Sequence, residues 1–395
     1  MITNQLIIIP FFSQWNSPAD FELQTSKILA KKNKVIIFHP NEARTILMLL
    51  KSKTLLKNFI SDIKSLNNNL TYFPVLKIIP FDRILLIKKL NKFLMLFGIK
   101  IYAKLLGKKP ILWVFHPSFE NLPGKFNEKV VIYDCVDFHS SLNKAENFKI
   151  TLKEKRLIKK SDVIFTNSPA LFKLKKNIHT KCFKVPLGFD ANNFLKNKKN
   201  KIPDDLEKIP KPIIGFIGNI DYRIDFRLLD KLIPSNPGWS FLFIGPTNHE
   251  DKIQNKIVGF TNNLQKIETF KNVFFLGNRQ KKELSYYYDN IDVGIIPYDI
   301  KQKFCLYSYP MKIFEFFSRG IPLISTPIIN LVALQPLIKI ASNDNDFSSQ
   351  IKSILKNGWS DYLKNEQKKL AIKNSWENKI EGISVILEKN FGKKV

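Results

Sequence analysis

The stretch Tyr307-Ser-Tyr-Pro-Met-Lys-Ile-Phe-Glu-Phe-Phe-Ser-Arg-Gly-Ile-Pro-Leu-Ile-Ser-Thr326 reads as a helix bounded at both ends that runs straight into a buried strand. Pro310 suits the first turn, where a missing N–H costs nothing, and Gly320 suits the stop, with Pro322 just beyond it. The short apolar run that follows has the length of a strand covered on both faces. Helix followed by such a strand is the repeating unit of a parallel α/β sheet. The same spacing gathers free amides near Tyr309 to Lys312, an anion site at a helix N-terminus to which Lys312 adds a full charge. Glu315, about one turn on, is placed to accept hydrogen bonds from ribose hydroxyls. An exposed i,i+4 pair with Arg319 is the other reading of that spacing.

Working outward, the pattern repeats. Strands are expected at Leu6–Pro10, Val35–Phe38, Ile111–Phe115, Val130–Tyr133 and Val163–Thr166, with helical stretches between them, among them Phe21–Lys31 and Glu154–Ser161. After a polar, basic stretch (Asn192 to Lys211) that reads as a linker, a second series follows at Ile213–Ile217, Ser240–Ile244, Val273–Leu276, Val293–Ile296 and Pro322–Ser325. Two tandem α/β units of nucleotide-binding type are the simplest architecture. Gly218, Gly245 and Gly277 follow three of these strands at the carboxyl edge, where open α/β sheets bind ligands.

The 395 residues are enough for two cores at roughly 100–200 residues per domain. A hydrophobic share of 44% excludes a disordered chain, and three scattered cysteines exclude a disulfide framework or CxxC metal site. The formal net charge of +29 points to an anionic partner, although an AT-rich genome produces the same Lys and Asn excess. Met1-Ile-Thr-Asn-Gln5 lacks the basic start of an export signal, and no uncharged apolar run reaches about 18 residues, so the cytoplasm is the expected compartment. Residues 83–109 stand apart: Arg83, Lys88, Lys89, Lys92, Lys100, Lys104, Lys108 and Lys109 are interleaved with Leu86, Leu90, Phe93 and Phe97, without one acidic residue. This composition fits a helix lying in an anionic membrane interface, or a solvated basic face over an ordinary buried one.

Candidate chemistry sits at strand ends. Gly218-Asn219 followed by Arg223 permits close approach to a phosphate and supplies a guanidinium. Asn278-Arg279 follows Gly277 in the same way. Val130-Val-Ile-Tyr-Asp134-Cys-Val-Asp137-Phe-His139 ends a strand with two carboxylates suited to general-base work, or to capping the next helix. His116, after Trp113-Val-Phe, is a further candidate. The five histidines show no metal-ligand spacing, and Asp344-Asn-Asp346 reads better as a helix-capping turn than as a metal-binding DxD. No metal or cofactor is expected.

Four stretches, in order, resemble GT-B fold glycosyltransferases, particularly bacterial enzymes of surface-polysaccharide assembly. They are Val185-Pro-Leu-Gly-Phe-Asp190…Phe194, Phe216-Ile-Gly-Asn219, Phe275-Leu-Gly277…Tyr288…Asp292-Val-Gly-Ile-Ile-Pro297, and Lys312-Ile-Phe-Glu315…Gly320…Thr326. The resemblance implies two Rossmann-like domains facing a cleft: an acceptor domain over 1–190, a nucleotide-sugar domain over 191–375, and a C-terminal helix (376–395) crossing back. It implies transfer of a sugar from a nucleotide-diphosphate sugar, a UDP-sugar above all, to a hydroxyl of a glycan or polyprenyl-diphosphate-linked acceptor. Glu315 would hold the ribose. Lys312, Arg223 and the backbone at Tyr309 and Met311 would hold the diphosphate, with Gly218, Asn219 and Gly245 beside them. Asn278 and Arg279 would border the nucleotide base, and Asp137 or Asp134 would deprotonate the acceptor hydroxyl if the reaction inverts. One departure stands out: retaining members often carry Glu eight residues before the ribose-binding Glu, and here that residue is Tyr307. A nucleotide-sugar epimerase, a nucleic-acid-binding protein and a non-catalytic scaffold are the alternatives. Nucleic acid is disfavoured because no RNP-like or zinc-finger pattern is present.

Overall fold

The computed structural model describes residues 1–12, 21–39, 51–54, 57, 69–73, 84–195, 202–247, 256, 258–392 and 395. Arg83, at the edge of the basic segment, and residues 196–201 of the expected linker lie outside them.

Two parallel sheets form the frame. The first contains β1 (Leu6–Pro10), β2 (Lys34–Phe38), β3 (Leu70–Tyr72), β4 (Ile111–Val114), β5 (Val130–Cys135), β6 (Val163–Thr166) and β7 (Cys182–Lys184), in the spatial order β3-β2-β1-β4-β5-β6-β7. The second contains β8 (Ile213–Ile217), β9 (Ser240–Ile244), β10 (Val273–Gly277), β11 (Val293–Ile296), β12 (Leu323–Ser325) and β13 (Lys339–Ile340), in the order β10-β9-β8-β11-β12-β13. Every strand pairing is parallel.

The absence of polar alternation in these strands has a direct cause. In the first sheet Ile7, Ile37, Trp113, Ile132 and Phe165 enter one apolar cluster, while Ile8, Ile36, Leu112, Tyr133 and Ile164 enter another on the opposite face. Each strand therefore buries both sides, as helix-covered parallel sheets do. The helix Trp376–Phe391 supplies Trp376, Ile380, Ile383 and Leu387 to the first of these clusters, so the end of the chain returns to the N-terminal half. A further tie across the halves is Trp376 N–H donating to the Phe189 carbonyl at 3.1 Å.

The stretch read as a linker is more structured than its charge suggests. Residues Ala191–Leu195 form a short helix with Phe194 buried, and Leu206 and Ile209 are buried in the core of the second half. Lysines between these few apolar anchors hid them from a compositional reading. The capping expectation at residues 343–346 holds: Asn343 Oδ1 accepts from Asp346 N–H at 2.9 Å, at the start of the helix Asp344–Asn357.

The basic segment is the helix Leu85–Leu105, and it has two apolar faces. Met95, Ile99 and Ala103 are buried against the first sheet. Leu86, Leu90, Phe93, Phe97 and Ile101, spaced three and four apart, point the other way, with Leu86 76% and Phe93 61% exposed. A face spaced in this way is continuous along the helix. Among the described residues, no helix is long and apolar enough to cross a membrane.

Candidate active site

The carboxyl ends of the two sheets face a cavity of about 510 Å³. Its floor is the close crossing of two strand ends. Gly218, after β8, has φ +143°, and a Cβ there would lie 2.5 Å from Lys312 Nζ. Gly245, after β9, has the same φ, and a Cβ there would lie 2.1 Å from the Gly218 carbonyl oxygen. Only glycine permits this approach of backbone to backbone.

Over that floor stands the start of the helix Lys312–Arg319, stopped at Gly320 in the left-handed conformation. Lys312 Nζ is shielded from water, lies 3.6 Å from the centre of the Phe216 ring, and has no hydrogen-bond partner. Burial foremost, and then the Arg223 guanidinium, push its pKa well below the usual lysine range. An ammonium in this state gains from any anion that reaches it. Arg223 is aimed by Asp221, to which its Nε donates at 2.9 Å and its Nη2 at 2.7 Å. Glu315 Oε2 accepts from the Tyr288 hydroxyl at 2.6 Å, and burial raises the carboxyl's pKa. The alternative Glu315–Arg319 pair is not what forms. Arg319 Nε instead donates to Asp289 Oδ1 at 2.6 Å, leaving Glu315 to the cavity. At the rim, Arg279 Nη2 lies 2.6 Å from Asp205 Oδ2, and its Nε donates to the Tyr287 hydroxyl at 2.9 Å.

The structure gathers Gly218, Asn219, Arg223, Gly245, Asn278, Arg279, Tyr309, Met311, Lys312 and Glu315 around this one cavity, with Asp137 from the opposite half. Asp137 keeps contact with cleft water although both domains crowd it. The crowding raises its carboxyl pKa, and Arg223 pulls it back.

Two expected residues are elsewhere. Asp134 is still inside β5, wholly buried, and pairs with Lys379 of the C-terminal helix at 3.1 Å. It anchors that helix and does not face the cavity. His116 accepts from Ser118 N–H at 3.1 Å and stacks on Phe12 with ring centres 3.5 Å apart. Burial lowers its pKa to about 3, so it is a neutral turn-capping group outside the cavity lining.

Sequence reasoning missed Tyr298, Gln280, Lys281 and Phe21, which also line the cavity. Tyr298 follows β11 and the two rim residues continue the turn after Gly277, so the strand-end rule could have found them. Phe21, at the start of a helix in the other half, had no such signal. Among the described residues, Cys135, His139 and Glu154 come close enough to share a metal ion. Glu154, however, is already held by Lys175 at 2.6 Å and by the Tyr133 hydroxyl at 2.8 Å.

Residues 211–357, which hold the cations of the cavity, match the family described as "Glycosyl transferases group 1". A Bacillus subtilis (strain 168) protein named for teichuronic acid biosynthesis, the glycosyltransferase TuaH, is 26% identical over 68% of this chain and 70% of its own length. The chain is a glycosyltransferase of the GT-B fold. Among solved structures, this glycosyltransferase superposes on sucrose-phosphate synthase from Thermosynechococcus elongatus with a TM-score of 0.70 at 16% identity, covering 99% of this chain and 100% of that one. It superposes on Anabaena HepE in complex with UDP-glucose with a TM-score of 0.69 at 12% identity, covering 98% and 100%. Identities this low carry the fold and nothing finer.

Proposed function

We propose that the glycosyltransferase takes a sugar from a UDP-sugar and places it on a hydroxyl of a glycan or lipid-linked glycan, in the cytoplasm, during synthesis of a cell-surface polysaccharide. The observation that carries the donor reading is Lys312: a buried ammonium with no hydrogen-bond partner, beside Arg223 and over a glycine floor that admits a phosphate. The UDP-glucose held by HepE on the same fold supports the nucleotide, and the name of the Bacillus relative supports the polysaccharide.

In this reading Glu315 accepts from the ribose hydroxyls, held in place by Tyr288. Asn278 and Arg279 border the base. Lys312, Arg223 and the backbone at Tyr309 and Met311 bind the diphosphate. As the acceptor oxygen bonds to the anomeric carbon, the bond to the diphosphate breaks and negative charge grows on the leaving group. Fixed cations and amides there lower the barrier without reorganising, which is electrostatic catalysis. Asp137, across the cavity, takes the acceptor's proton. Titration calorimetry with UDP tests the donor site: micromolar binding that Lys312→Ala weakens at least tenfold is expected, and equal affinity in both proteins would defeat the assignment. Release of free, epimerised nucleotide-sugar would turn the reading to an epimerase.

The outward face of the helix Leu85–Leu105 supports a place on the inner surface of an anionic membrane. Leu86, Leu90, Phe93 and Phe97 enter the interface while Lys88, Lys89, Lys92, Lys100 and Lys104 meet lipid phosphates, each for about 1 kcal/mol. Co-sedimentation with phosphatidylserine vesicles should fall with added salt and with Phe93→Ser/Phe97→Ser. Salt-insensitive binding, or none, would remove the membrane from the proposal.

A further inference from the structure

The two domains meet a second time, away from Lys312. Asn330 lies in the short helix Ile329–Val332 of the nucleotide-binding half and is only 2% exposed. Its Oδ1 accepts from the backbone N–H of Ala170, in the other half, at 3.1 Å. Its Nδ2 donates to the carbonyls of Tyr307 and Ser308, both at 3.0 Å. Ala170 is the second residue of the helix Pro169–Lys175, so its amide has no partner within that helix, and Ser168 is occupied with Leu171 at 3.2 Å. A side chain of one domain thus satisfies a buried backbone donor of the other while fixing the segment that carries Tyr307. The Tyr307 ring in turn stacks on Phe138 of the acceptor half, with ring centres 4.8 Å apart and an angle of 18°. Phe138 directly follows Asp137.

We propose that Asn330 is a positioning residue: together with the Tyr307–Phe138 stack it latches the two domains in the closed arrangement that sets Asp137 opposite the donor cavity. Opening the cleft leaves the Ala170 amide without its partner and separates the two rings, so the latch forms only when the halves are in register. Such a buried bond weighs more by its loss than by its presence, because the orphaned donor is desolvated. Tyr307, eight residues before Glu315, is thereby engaged across the cleft.

The latch is tested on the ligand-free full chain by small-angle X-ray scattering. Asn330→Ala and, separately, Tyr307→Leu should enlarge the radius of gyration, while Tyr307→Phe, which keeps the stack, should not. The inclusion of Tyr307→Leu, at a half-buried site, keeps the test informative where Asn330→Ala fails to fold. The positioning of Asp137 rests on the donor reading above and is tested by a double-mutant cycle with UDP as probe. Asp137→Asn removes a carboxylate that competes for Arg223 and faces the diphosphate, so it should tighten UDP binding several-fold in the wild-type background and leave it unchanged beside Asn330→Ala. An equal effect in both backgrounds, no effect in either, or scattering unaltered by both latch variants would overturn the proposal. UDP failing to bind the wild type would overturn the donor reading alone, and the scattering comparison would still decide the latch.

Discussion

The two walls of the cleft are built from the same unit, strand ends of a parallel sheet, yet they are electrostatic opposites. The nucleotide wall of the proposed reading carries Arg223, Arg279, Lys281 and Lys312 beside the single carboxylate of Glu315, and Lys312 is buried with no hydrogen-bond partner. The acceptor wall carries Asp137 at the cavity and, behind it, His116 and His139, both driven to the neutral form by burial. In the proposed mechanism one side receives negative charge and the other receives a proton. A group-transfer reaction needs that separation, because the leaving group and the nucleophile make opposite demands at the same moment.

The sharpest way to break this contrast is to discharge the nucleotide wall. Lys312→Ala should slow release of UDP from the donor by roughly 2–4 kcal/mol in the barrier, about 30- to 1,000-fold, since Arg223 is shared with Asp221 and cannot replace it alone. A loss of less than about threefold would show that the charge on this wall is not the source of catalysis. Next in size is the acceptor wall. Asp137→Asn should cost about 100-fold in transfer while UDP still binds. Transfer at the wild-type rate would leave the second wall without a chemical role. Rates measured at saturating donor separate the two effects.

How much of this contrast was legible in the sequence differs by wall for a physical reason. On the nucleotide side the functional groups sit next to strong local signals: glycines ending strands, and a proline opening a helix that a glycine closes. On the acceptor side Asp134 and Asp137 looked alike, three residues apart. Their fates diverge because Asp134 is still within β5 and covered on both faces, whereas Asp137 lies past its end. The partner that claims Asp134, Lys379, lies 245 residues away, and no local pattern announces such a pair. The same holds for Asp205 and Tyr288, which aim Arg279 and Glu315 from 74 and 27 residues away, whereas Asp221 aims Arg223 from only two residues away. Among strands, β3, β7 and β13 escaped reading. All three are short sheet edges with one neighbour each, so residues such as Thr71, Phe183 and Lys339 remain half-exposed and the continuous apolar signature is missing.

The smallest expected effect concerns the neutral imidazoles, and it tests whether the acceptor wall is uncharged. Burial, followed by His139 and Lys153, holds His116 at a pKa of about 3; burial, followed by Lys175, does the same for His139. Both values lie below the ordinary 6.5 of an unfolded chain, so the unfolded state binds protons that the folded state refuses. Their contribution to stability is therefore complete above pH 6.5 and is lost progressively as the pH falls toward 3. At pH 5 the loss reaches about 2 kcal/mol per ring, equivalent to about 4–8 °C of melting temperature in a domain of this size. Scanning calorimetry between pH 7.5 and pH 5 should show that decline in the wild type and a shallower one in His139→Leu. Because the raised carboxyls of Asp134, Asp137 and Glu315 act in the opposite direction, the comparison with His139→Leu decides: a wild-type decline no steeper than the variant's would mean that the imidazoles accept protons in the folded state. The acceptor wall would then carry positive charge as well, and the division of labour between the two walls would be lost.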